Sequence, residues 1–220
     1  MIVLKKFFTS ITLQDPEKVR EAYKYCYKAV GNRKLDMKRK TAFPILTAVN
    51  GYLKQNEPYQ IIAITEDSDK GRANLENFKN ELRSICDERH FLYVEPQAVF
   101  VGKSQEVSAH CETFLRLVSC VADDDELFAC ITFGTKPQSV IVRMAVQYAY
   151  RVKSNTSIQC ILYGQIDRPS SDPSTYQAYV YDETALVQMD EMVRLLVERG
   201  VTDPTDVLRE LLGMQEGKAE

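Results

Sequence analysis

The residues with the clearest chemical capacity form one polar run, Gly134-Thr135-Lys136-Pro137-Gln138-Ser139, set between two apolar segments. Gly134 can take backbone angles closed to other residues and lets a ligand approach closely. Thr135 and Ser139 can cap a helix or donate, Lys136 adds a point charge, and Pro137 suits a first helical turn. A turn of this kind between a strand and a helix offers an anion free N–H groups and the positive end of a helix dipole. The run lacks Walker spacing, so it equally suits an ordinary connection with a solvated lysine. A second hydroxyl-rich stretch, Thr9-Ser10-Ile11-Thr12, closes the first apolar segment of the chain.

These groups need rigid elements to hold them. Residues 127–133 are apolar on both sides, as in a central parallel strand, and residues 140–152 are apolar on most faces, as in a helix packed on a sheet. Residues 2–8 read as the first strand. Residues 59–65 read as the second, ending at Thr65 and Glu66 in a polar stretch that runs to Arg72. A third strand lies within residues 91–101, where Pro96 points to an edge position or a break. A further strand covers 157–163, followed by a polar loop over 164–175 and a short edge strand over 178–181. Helical patterns open at Asp15-Pro16-Glu17 and cover 41–53, 73–88, 107–118 behind a Ser104 cap, 185–199, and 203–212, the last stopped by Gly213.

The alternation predicts an α/β fold: a doubly wound, mostly parallel, Rossmann-like sheet with helices on both faces and a short C-terminal helical appendage. The domain is expected over residues 1–200 and a helical connector or tail over 201–220. Right-handed crossovers bring the carboxyl ends of parallel strands to one edge. Thr9-Ser10, Thr65-Glu66 and Gly134–Lys136 then become neighbours around an anion pocket.

With 220 residues and 45% hydrophobic content, the chain can bury one sizeable core. A formal charge of −3 argues against coating long nucleic acid, and the basic run between Arg33 and Lys40 reads as a solvated loop, with an arm that closes on an anionic ligand or partner as the alternative. The six cysteines contain no Cys-x-x-Cys pair and fall mostly inside predicted elements, the pattern of reduced thiols in a cytoplasmic protein. His110 falls within a helix and His90 just before a strand, positions that suit structural or solvated roles. Asp123-Asp124-Asp125-Glu126 is read as an acidic loop, because successive residues do not converge on a metal. No apolar run approaches the roughly 18 residues of a membrane span, so no membrane partner is expected.

Absent motifs narrow the chemistry. There is no Gly-x-Gly-x-x-Gly after the first strand, no Gly-x-Ser-x-Gly elbow and no His-Glu-x-x-His. Hydroxyls and one lysine at a sheet edge suit binding of a phosphodiester. Cleavage would need only geometry and charge stabilisation where a neighbouring 2′-hydroxyl supplies the nucleophile.

A first strand ending in Thr9-Ser10, the stretch Ile-Thr-Phe-Gly-Thr-Lys-Pro-Gln-Ser ending at Ser139, and a closing Tyr-Asp-Glu-Thr-Ala-Leu ending at Leu186 resemble the CRISPR-associated Rossmann-fold (CARF) domains of type III CRISPR systems. The resemblance spans Met1 to about Leu196, and Gly134-Thr135-Lys136-Pro137 is its most specific part. It implies a homodimer that binds a cyclic oligoadenylate, cyclic tetra- or hexa-adenylate, across its two-fold axis and switches an attached or associated effector domain in antiviral defence. On this chain it implies that Thr9, Ser10 and Ile11 line one wall. Gly134, Thr135, Lys136, Pro137 and Gln138 cradle the phosphates, and Thr65 and Glu66 make secondary contacts. Many members carry a doubled glycine where this chain has Phe133-Gly134. No cofactor beyond the ligand is implied, and the chain is expected to be the sensor portion of a longer effector. A ring nuclease that opens the same ligand without metal, and a scaffold or transcriptional protein that uses the fold to dimerise, are the competing expectations.

Overall fold

Neighbouring side chains of one strand decide how the layers form. The computed structural model describes residues 3–211, so Met1, Ile2, Leu212 and Gly213, which bound the first predicted strand and the last predicted helix, lie outside the described residues. In β1 (Lys5–Ser10), Phe7 and Phe8 are both fully buried yet point to opposite faces of the sheet, as successive strand residues must. Phe7 stacks on Phe128 with ring centroids 4.5 Å apart and belongs to the larger core. Phe8 faces the other side.

The elements follow in order. After β1 come α1 (Pro16–Glu21), β2 (Tyr27–Val30), α2 (Ile45–Tyr52), β3 (Tyr59–Glu66), α3 (Asp69–Arg89), β4 (Gln97–Val101) and α4 (Val107–Val118). Next come β5 (Glu126–Cys130), α5 (Lys136–Val152), β6 (Ser157–Asp167), β7 (Gln177–Asp182), α6 (Thr184–Glu198) and α7 (Thr205–Leu211). The strands form one seven-stranded sheet in the order β2-β7-β6-β5-β1-β3-β4. All neighbours are parallel except β6 and β7. The predicted α/β, doubly wound architecture is therefore the one observed.

Side chains of α2 and α3, among them Leu46, Val49, Leu75 and Phe78, share a core with Phe7, Ile61 and Phe128 on one face. On the other face α5 crosses β1, β5 and β6 and packs beside α4, burying Ile141, Val142, Ala145, Val146 and Ala149. Burying each large apolar side chain contributes about 1.5–3 kcal/mol, so the two cores fix the sheet firmly between its helices.

Several boundaries differ from the sequence expectation. Tyr27–Val30 is a strand that the mixed polar and aromatic stretch did not reveal; it pairs in parallel with β7, with Tyr27 opposite Ala178. As a result β7 is an interior strand and not the expected edge. β6 continues to Asp167 through the expected loop, because Leu162 to Asp167 pair antiparallel with β7. β4 is the opposite edge, and Pro96 immediately precedes it, where its missing N–H costs no ladder bond. His90 takes a left-handed conformation (φ 57°) and ends α3, a structural role.

The chain divides into two compact units, one ending at Asp182 and one starting at Glu183, so the division falls before α6 rather than after it. In the second unit α6 and α7 are separated by a turn in which Gly200 has φ +88°. All six cysteines are free, and Cys86, Cys130 and Cys160 are buried. No helix among the described residues is long and apolar enough to cross a membrane.

At the amino edge of the sheet, a buried ion pair fixes where β1 and β5 begin. Lys6 Nζ lies 3.2 Å from Asp125 Oδ2, with both side chains less than a tenth exposed, and Lys6 also donates to the Cys120 carbonyl. Asp125 in turn accepts from the Ala122 N–H at 2.7 Å. Removing one member leaves the other charge buried without its counter-charge. Asp125→Ala is expected to lower stability by about 3–5 kcal/mol in urea unfolding. Glu126→Ala, whose carboxylate is about a third exposed and 4.0 Å from Lys5 Nζ, should cost less than about 1 kcal/mol. Equal losses for the two variants would contradict this account.

Candidate functional site

After an excursion to β2 at the far edge of the sheet, the chain lays β3 beside β1 and β4 beyond it, then returns through α4 to place β5 on the other side of β1. The reversal between β1 and β5 is a topological switch point, where connections diverge and leave a crevice outside the carboxyl ends of the strands. A cleft of about 450 Å³ opens there. One side is the segment after β1, Ile11 to Gln14. The base comes from the ends of β3 and β4, with Ile64, Glu66 and Phe100, and a second side is Thr132 to Thr135 with Gln138. A third part of the lining comes from α4, together with Ser104 and Gln105 ahead of it.

Each wall is anchored by identifiable contacts. The Ile11 N–H donates to the Ile64 carbonyl at 2.8 Å, which extends the β1–β3 pairing by one residue. The amide of Asn74, fully buried on α3, donates to the carbonyls of Thr12 and Gln14 at 2.9 and 2.8 Å and fixes the loop after β1. Thr135 is the N-cap of α5 in a capping box: its Oγ1 accepts from the Gln138 N–H at 3.4 Å, and its own N–H donates to Gln138 Oε1 at 3.1 Å. This box starts the helix at Lys136, four residues before the expected start. Ser139 Oγ donates to the Ile131 carbonyl at 3.2 Å and ties the first turn of α5 back to the chain leaving β5.

The residues expected to form the site divide into three groups. Ile11, Glu66, Gly134, Thr135 and Gln138 line the cleft. Thr9, Ser10 and Thr65 lie beneath it, each no more than 2% exposed. Lys136 and Pro137 are exposed residues of the first turn of α5, outside the lining. Ser10 and Gly134 are brought together directly: a Cβ on Gly134 would sit 3.0 Å from Ser10 Oγ and 2.5 Å from Gln138 Oε1. The hydroxyls of Ser10 and Thr65 are buried with no hydrogen-bond partner. An unpaired buried hydroxyl carries a desolvation cost of about 1–3 kcal/mol, so Ser10 marks polar capacity held directly under the turn.

The α4 wall was not legible as a site. His110, Thr113 and Arg116 recur every three residues along α4 and all line the cleft, with Glu112 beside them. The only available signal was that polar spacing on an otherwise apolar helix. Arg116 Nη1 donates to the Phe100 carbonyl at 2.6 Å, while the Arg72 guanidinium covers the Phe100 ring 4.5 Å from its centroid. Two neighbouring cations are matched: Arg72 pairs with Asp67 at 2.5 Å and Lys103 with Glu66 at 4.0 Å.

Comparison of the sequence with protein-family models and with curated proteins gives no match. The chemistry therefore rests on the cleft itself. Cys130 lies at the end of β5, and burial pushes its thiol up despite a hydrogen bond to Thr132, which disfavours the thiolate form. No cluster of His, Cys, Asp or Glu able to hold a metal occurs among the described residues. The cleft instead combines a helix N-terminus, in which the Lys136 N–H has no protein partner among the described residues, with hydroxyls, amides and the rings of Phe100 and Phe133. That set suits a ligand made of phosphate, sugar and a flat base.

Gly134 has φ +94°, a conformation in which a side chain is strained by about 1–3 kcal/mol. Gly134→Ala should displace Gln138, break the capping box and destabilise the protein by that amount in thermal or urea unfolding. Gly102→Ala, on the same cleft with nothing within 4 Å of the added carbon, should be nearly neutral. A neutral Gly134→Ala would show that the turn does not depend on its conformation.

Proposed function

We propose that the cleft binds a cyclic oligoadenylate, and that the chain is a CARF-type sensor of a type III CRISPR effector acting as a homodimer. The observation that carries this reading is the cleft at the β1/β5 switch point, bordered by the Gly134-Thr135-Lys136-Pro137 turn that gives the sequence its resemblance to such domains. Its volume falls within the roughly 300–1,000 Å³ of small-molecule sites. The N-terminus of α5 suits a phosphate, Thr12, Thr132 and Thr135 suit ribose hydroxyls, and Phe100, Phe133 and Ile11 supply apolar surface for a base.

A ring with two-fold symmetry matches two copies of one cleft related by a two-fold axis, each contact made twice. A surface for the second copy is supported by α5, where Val140, Met144 and Tyr148 recur every four residues and are 56%, 50% and 40% exposed. An exposed apolar stripe of this kind is characteristic of an interaction face. Binding at the cleft would bias the ends of β1, β5 and α5, and through them the paired copy and its effector.

Calorimetric titration with cyclic tetra-adenylate and cyclic hexa-adenylate, followed by chromatography of the recovered nucleotide, tests the proposal. The expected result is saturation at one ring per two chains with the ring recovered intact. Recovery of linear fragments would replace the sensor with a ring nuclease, and absence of binding to both rings would refute the proposal.

A further inference from the structure

The cleft contains one cation in its lining, and it is not Lys136. Among the residues that line it, Arg116 alone carries a fixed positive charge. Arginine stays protonated throughout the accessible pH range and presents five N–H donors in a planar fork. One of them is engaged by the Phe100 carbonyl at 2.6 Å, which holds the guanidinium at the junction of α4 and β4. Arg116 pairs with no carboxylate among the described residues, whereas Arg72 and Lys103 nearby are each matched by an acid, Asp67 and Glu66. An oriented, unmatched guanidinium facing a cleft is the most favourable protein group for an oxyanion, which it grips through paired N–H donors.

Its position is as informative as its charge. Arg116 stands on α4, and the α5 N-terminus with its positive dipole end stands on the wall formed by the chain after β5. We infer that Arg116, on α4, forms a second anion subsite separate from the N-terminus of α5, so that each protomer holds two phosphates of one ligand rather than a single phosphate at the turn. A nucleotide segment bridging the walls would lay its sugar and base over Ile64 and Phe100 at the ends of β3 and β4. His110, six residues before Arg116 on the same helix, would border that segment.

This inference rests on the reading of the cleft as a nucleotide site, and two probes keep their failures apart: cyclic tetra-adenylate and linear 5′-phosphorylated diadenylate, which carries two phosphates without a ring. Binding of both is measured at several salt concentrations for wild type, Arg116→Ala and Arg116→Gln. The glutamine keeps an amide donor for the Phe100 carbonyl while removing the charge, so it separates charge from local structure. The expected result is at least tenfold weaker binding of both probes by both variants at unchanged melting temperature. The slope of log affinity against log salt should also fall by about 0.7 for each phosphate that the variant no longer neutralises. If either probe binds wild type and the Gln variant stays within threefold of it with an unchanged slope, the second subsite is overturned while the nucleotide site stands. If the linear probe binds through Arg116 and neither cyclic tetra- nor cyclic hexa-adenylate does, the subsite stands and the cyclic ligand falls. Binding of neither probe by wild type, with cyclic hexa-adenylate also unbound, overturns both.

Discussion

The crevice over the sheet exists because β1 is flanked by strands reached in opposite directions. Once the chain has come back from β2 at the far edge, β3 and β4 are laid outward on one side of β1, and the crossover through α4 brings the chain to β5 on the other. Connections with one handedness must then leave the switch point on opposite faces, which leaves a crevice outside the carboxyl ends of β1 and β5. Everything attributed to the site depends on that gap staying open and rigid. The buried Phe7–Phe128 stack between β1 and β5 and the Lys6–Asp125 pair at their amino ends hold the two strands in register below it.

Above the gap, rigidity comes from backbone devices rather than bulk. The Thr135–Gln138 capping box fixes the start of α5, Ser139 ties it to Ile131, and Asn74 pins the loop after β1 from the neighbouring helix. Ser10 is left buried and unpaired under Gly134, and the Lys136 N–H has no protein partner among the described residues. Polar capacity left unsatisfied in a well-ordered region is costly to stability, and a ligand group is the natural means of satisfying it.

Much of this was legible in the sequence, for reasons that can be named. The apolar strand-turn-helix around Gly134 and the alternation of strands and helices pointed to the doubly wound sheet, because fully buried parallel strands and helix stripes leave strong periodic signals. Tyr27–Val30 left none: four residues in a basic and aromatic stretch become a strand only by pairing with β7, which lies far along the chain. The first turn of α5 read as loop because Lys136 and Pro137 suggest a turn, although Thr135 and Gln138 carried the spacing of a capping box. Thr9, Ser10 and Thr65 were placed at the correct edge but lie under the site and not on its wall, since strand-end hydroxyls reveal position and not depth. Arg116 and His110 were hidden because α4 reads as an amphipathic helix, and only tertiary placement turns its polar stripe toward the cleft.

The central claim is that the ligand lies in the switch-point cleft between α5 and α4. Hydrogen–deuterium exchange of the protein with and without cyclic tetra-adenylate tests it most directly, because exchange reports protection segment by segment. The account predicts slowed exchange in three separated segments, around Ile11–Gln14, Thr132–Gln138 and Gln105–Arg116, with the amino edge near Asp125 unchanged. Protection confined to the β2–β7 side of the sheet, or to one of the three segments alone, would contradict it.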